Sequence, residues 1–205
     1  ADLEFAYATR VFRIWAAPPD PAVVFADDFD DWLHPAWDYV SNFATLSGGR
    51  LRIGTNKTTW RGVPRVWNHF NLPAFEAGTL SFTFQIEQVP EGKIDVLNAG
   101  FGRGVKWSKH GLSHSYVNGC VGGRLYADPG QGWIWTAGGI SKTLGRVDAE
   151  AHEVALAVDA NGHCTLTMDG TDVCAFTADT AAGPKDGFYI HARRHPARGM
   201  GALLL

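Results

Sequence analysis

The stretch His152–Ala178, HEVALAVDANGHCTLTMDGTDVCAFTA, decides the fold. Val154, Leu156 and Val158 alternate with Glu153, Ala155 and Ala157, the period of two that sets one face of a strand against a core. Asn161-Gly162 is a hairpin signal, Leu166 and Met168 alternate beyond it, and Asp169-Gly170 turns the chain again before Val173 to Phe176. The expectation is a three-stranded antiparallel meander. Cys164 and Cys174 flank its second turn. A two-residue Asp169-Gly170 loop sets Cys174 opposite Thr165, so the two thiols are expected on opposite faces and unbridged.

Working outward, the same texture continues in both directions. GTLSFTFQIEQ (78–88) alternates Leu80, Phe82, Phe84 and Ile86 against Ser81, Thr83, Gln85 and Glu87. SGGRLRIGT (47–55), KIDVLNAGFGRG (93–104) and GWIWTAG (132–138) read as further strands, and GFYIHARR (187–194) and GMGALLL (199–205) as closing ones. No stretch sustains a 3.6-residue apolar period with caps. About a dozen strands without a long helix predict an all-β, two-sheet antiparallel sandwich. Residues 1–17 mix aromatic and charged positions, and Pro18-Pro19-Asp20-Pro21 ends them. Residues 1–22 are therefore read as an extension packing on a β-sandwich domain of residues 23–205.

Bulk properties narrow the partners. Charged residues make up 19% and the net charge is −3, which excludes a nucleic-acid footprint and a polybasic membrane patch. Apolar runs are strand-sized, so none spans a bilayer as a helix. The chain holds 8 Trp, more than a core of this size needs, and aromatic faces are what proteins offer to sugar rings. Three cysteines make no disulfide framework. The start at Ala1 fits a processed N-terminus and Asn56-Lys57-Thr58 fits a glycosylation sequon, so a secreted or periplasmic location is expected.

Several of these strings resemble a family. Asp27-Asp28-Phe29, Gly48-Gly49-Arg50-Leu51-Arg52-Ile53, His152 through Gly170 and Gly187-Phe188-Tyr189-Ile190 follow the order of motifs in laminin-G-like and other concanavalin A-like domains. Asn98-Ala99-Gly100-Phe101 is similar to a strand of the 3-keto-disaccharide hydrolase branch. The resemblance implies a jelly roll with one convex and one concave sheet, the concave one binding an oligo- or polysaccharide. The E-x-D-x-x-E strand of laminarinase-type glycosidases in this superfamily has no counterpart here, which disfavours that two-carboxylate mechanism. The family often holds a structural calcium ion. Asp28, in the acidic turn Asp27 to Asp31, is the candidate ligand, and no other cofactor is required.

Two groups of residues are candidates for chemistry. Tyr189, His191 and Arg193 share one face of a late strand by spacing, leaving Phe188, Ile190 and Ala192 for the core. Arg103 to Tyr126 crowds Arg103, Lys106, Trp107, Lys109, His110, His114, Tyr116, Arg124 and Tyr126 into a Gly-rich stretch. A His/Tyr/Arg set suits β-elimination on a uronic acid. A cation neutralises the carboxylate, His or Tyr takes the C5 proton, and Tyr protonates the leaving oxygen. The catalytic candidates are thus His191, Tyr189, Arg193, His114, Tyr116 and Arg103. Trp107, Trp133, Trp135, Lys106 and Tyr126 are the substrate-binding candidates. Trp133 and Trp135 stand two apart, so both belong to the core or both line a groove. The competing readings are a lectin with Trp stacking faces and a laminin-G-like module that binds protein.

Overall fold

The structure, a computed structural model, describes residues 27–30, 39–40, 44–46, 48–54, 65–69, 74–102, 121–177, 184–185, 187–192 and 202–205. Among them the chain forms fourteen strands and no helix: β1 (Tyr39–Val40), β2 (Ala44–Leu46), β3 (Leu51–Gly54), β4 (Arg65–His69), β5 (Gly78–Ile86), β6 (Ile94–Gly102), β7 (Val121–Asp128), β8 (Gly132–Ala137), β9 (Ile140–Leu144), β10 (His152–Val158), β11 (His163–Met168), β12 (Thr171–Thr177), β13 (Gly187–Ala192) and β14 (Ala202–Leu204). They make two seven-stranded sheets, ordered β1-β4-β13-β6-β7-β8-β9 and β12-β11-β10-β5-β14-β3-β2. Every pairing within them is antiparallel.

The meander stands as β10–β11–β12. Asp169 and Gly170 both take positive φ, 50° and 72°, the pair of left-handed residues that a tight hairpin with the twist of its strands requires. The first turn is wider than a two-residue loop. Asp159 closes it, its carboxylate accepting from the backbone N–H groups of Asn161 and His163.

The cysteine geometry is corrected. A register shift after Leu166 places Leu166 opposite Cys174 and Cys164 opposite Phe176. A bulge adds one residue to a strand, so every side chain beyond it changes face. Cys164 and Leu166 belong to the core and Cys174 packs against it, so the two thiols share the inner face. Both are free.

The core fills the space between the sheets with Leu80, Phe84 and Ile86 of β5, Val154, Leu156 and Val158 of β10, and Leu125, Trp133 and Trp135 from the opposing sheet. Trp133 and Trp135 are 2% and 1% exposed, which overturns their candidacy as a sugar platform. Trp133 meets Phe84 and His152 edge to face, at ring-centroid distances of 5.5 and 5.3 Å. The indole N–H of Trp135 points at the sulfur of Met168, 3.4 Å away in the other sheet. His152 is buried between two carboxylates, Nδ1 2.7 Å from Asp169 and Nε2 2.9 Å from Asp148. Its place is structural.

Trp135→Ala should therefore cost about 3–5 kcal/mol of unfolding free energy, read from urea denaturation, because it opens an indole-sized cavity. An unchanged midpoint would return Trp135 to the surface. Burial pushes the Cys164 thiol up to about 11, with Lys185 pulling weakly the other way. The unfolded thiol ionises near pH 9 while the buried one keeps its proton. Its contribution is thus whole below pH 9 and falls by about 2–3 kcal/mol as the pH rises toward 11. Burial holds the Lys185 ammonium below the usual lysine range and acts in the opposite sense. The difference between wild type and Cys164→Ala, followed from pH 8 to 11, isolates the thiol: the wild-type curve should fall more steeply.

Candidate functional site

Strand alternation assigns the outward residues of the first sheet. On β13, Phe188 and Ile190 enter the core and Tyr189 is turned away from it, half-buried, as the spacing predicts. On β6, Ile94 and Ala99 face inward and Asp95, Asn98 and Gly100 outward, Val96 being the extra residue at a register shift. On β7, Leu125 and Ala127 are core, so Gly122, Arg124 and Tyr126 face outward. On β8 the outward residues between and beyond the two indoles are Ile134 and Thr136.

Register converts these into rows. Trp67 of β4, Tyr189, Gly100 and Gly122 stand opposite one another in turn, and Tyr39 of β1 stands opposite Trp67. The next row runs Arg65, His191, Asn98, Arg124 and Thr136. A third runs Asp95, Tyr126 and Ile134. Directly opposed residues of an antiparallel pair share a face and are near enough to act together.

Arg124 is the centre of the described side chains. Its guanidinium donates to the Tyr126 hydroxyl at 2.9 Å, and its Nε lies 3.4 Å from Asn98 Oδ1 and 3.8 Å from Asp95 Oδ2. Its carbonyl accepts from the Thr136 hydroxyl. Lys93 Nζ lies 5.2 Å from the centroid of the Tyr126 ring, and the Arg124 guanidinium carbon 5.9 Å. Tyr126 is thus a phenol held among cations rather than a bare stacking face. Tyr189 lies across the glycines. A Cβ built on Gly122 would come 2.6 Å from the Tyr189 hydroxyl. The phenol of a β13 residue therefore reaches over β6 to β7, two positions from Arg124.

Tyr189 and Tyr126 thus share the outer face with Arg124, Tyr126 bonded to it and the Tyr189 hydroxyl two positions away over Gly122. Arg124, named in the crowded segment, was not chosen as a site residue, and Asn98 and Asp95 were missed. The alternation Gly122, Arg124, Tyr126 carries the first, while the register shift in β6 hides the other two. His191 is described only as a backbone position opposite Asn98. Arg103, Lys106, Trp107, His114, Tyr116 and Arg193 lie outside the described residues.

Of the acidic turn, Asp27 to Asp30 are described and Asp31 lies outside the described residues. Asp27 and Asp28 accept from the backbone N–H groups of Phe29 and Asp30, which closes the turn on itself. Among the described residues no group of three or more His, Cys, Asp or Glu stands together as a metal site.

The two-sheet architecture has known counterparts. The Emp47p carbohydrate recognition domain superposes with a TM-score of 0.61 at 12% identity, covering 87% of this chain and 89% of that one. Lectin II from Ulex europaeus gives 0.58 at 12%, covering 82% and 88%. The fold is the two-sheet jelly-roll sandwich that these lectin domains share. A potassium-bound form of the Emp46p carbohydrate recognition domain gives 0.55 at 14% identity over 90% of this chain and 91% of that one. A sialidase gives 0.54 at 13%, this chain matching 16% of its length. No protein-family model and no curated protein matches the sequence. At such identities the concanavalin A-like likeness establishes fold and leaves function to the residues of the site.

Proposed function

We propose that the outer face of the first sheet binds an acidic polysaccharide and cleaves it by β-elimination. The observation that carries this reading is the grouping of the Tyr189 hydroxyl, Arg124 and Tyr126 along β7, with the His191 position opposite Asn98 in the same row. Solved carbohydrate recognition domains with this fold make a sugar the natural class of ligand.

In this reading Arg124 and Asn98 hold the uronate carboxylate, withdrawing charge so that the C5 proton becomes acidic. His191 takes that proton. The freed electron pair forms the C4–C5 double bond, the C4–oxygen bond breaks, and Tyr189 protonates the departing oxygen. Atoms balance without water, so the products are a saturated and an unsaturated chain end. Asp95 supplies the second reading. Its carboxylate, 3.8 Å from Arg124 Nε, competes with a substrate anion for the guanidinium, as suits a lectin site that binds sugar hydroxyls.

Incubation with polyuronates and with neutral β-glucans separates the two. Polyuronates alone should give the ultraviolet absorbance of the conjugated enol-ether product, and Arg124→Ala should lower kcat/KM by about 10²-fold or more. Retention on a glycan column without absorbance would sink the lyase and keep the lectin. Neither signal would sink both.

A further inference from the structure

We infer that Gly122 is a positioning residue for Tyr189, and that the pair Gly100–Gly122 is a path cut through the sheet surface for this one phenol. The functional consequence rests on the reading of Tyr189 as the proton donor. The geometry is independent of it. Neighbouring strands lie about 4.8 Å apart, so β13 and β7, with β6 between them, are separated by roughly twice that. A tyrosine spans such a distance only by lying flat on the intervening strand. The residues it must cross are Gly100, opposite Tyr189, and Gly122, opposite Gly100.

A Cβ at Gly122 would stand 2.3 Å from the Ala99 carbonyl oxygen, 2.6 Å from the Tyr189 hydroxyl and 3.0 Å from the Gly100 Cα. The hydroxyl thus occupies the volume that any other residue at 122 would fill with its own side chain. Glycine inside a strand weakens it and marks close approach of another group. Here the group is a side chain from two strands away. The result is a row on β7 in which two phenols flank Arg124, one its neighbour at Tyr126 and the other delivered from β13.

A double-mutant cycle tests this. Tyr189→Phe keeps the ring and should fold normally, with kcat lowered about 10²-fold and KM unchanged. Gly122→Ala should lower kcat to the same extent by displacing the hydroxyl. It also meets the Ala99 carbonyl, so its stability should fall in either background. In the Tyr189→Phe background it should lower kcat no further. Multiplying losses, or a Gly122→Ala enzyme with wild-type kcat, would overturn the assignment. Should Gly122→Ala not fold, Gly100→Ala carries the same expectation.

A second readout needs no glycan. Fluorotyrosine labelling gives resonances from the 5 tyrosines, and Tyr189→Phe identifies the one that matters. Gly122→Ala should shift that resonance most. If it stays in place, the positioning role fails even where turnover is seen. If it moves in a protein without turnover, the positioning holds and the lyase reading falls.

Discussion

The sandwich depends on two indoles that leave one strand and cross to the opposite sheet. Trp133 enters a ring cluster with Phe84 and His152, and Trp135 ends against Met168. Each buries on the order of 200 Å², more than any aliphatic side chain in the core they join. Trp135 finds room because Gly123 has no side chain: a Cβ there would lie 3.0 Å from the indole. The second sheet answers with His152, whose two ring nitrogens are held by Asp148 before the strand and Asp169 in the hairpin beyond. Asp169 also accepts from the backbone N–H of Glu153. The tight turn of the meander is thereby tied to the cluster that the indoles complete.

This dependence explains what could be read from residues alone. The meander was legible because its turns have dedicated chemistry and its strands a clean period of two. The alternation of Tyr189 with Phe188 and Ile190 was legible for the same reason. The face of Trp133 and Trp135 was not, since period two says that they agree and says nothing of which side holds the core. The surplus of tryptophan suggested sugar, but packing used these two. The cysteines failed for another reason. A bulge has no signature in TDVCAFT, yet it changes the face of every residue past it. The register shift in β6 acts likewise, setting Asp95 and Asn98 on the outer face although three positions separate them.

The site was half legible. Residue types pointed to His, Tyr and Arg, and Tyr189 and Tyr126 do share the outer face. The arginine between them was obscured by richer neighbours, because Arg124 sits in the same crowded segment as Arg103 and Lys106. Only pairing shows that it stands in one row with Asn98 and the His191 position. A sequence presents such residues as scattered over nearly a hundred positions, and a ladder sets them a strand's width apart.

Adjacent glycines show how one strand serves both faces. Gly123 leaves space on the inner face for Trp135, and Gly122 leaves space on the outer face for Tyr189. Each glycine costs a strand about 0.5–1 kcal/mol against alanine, so two in succession are a local weakness in β7. The inner one is offset by an indole that locks the sheets together. The outer one is offset by a phenol laid across β6, which spans three strands and sets its hydroxyl two positions from Arg124. The packing of an indole and the placing of a phenol therefore draw on the same dipeptide from opposite sides. A side chain at 123 would disturb the core first, whereas one at 122 would disturb the surface on which a sugar is expected to lie.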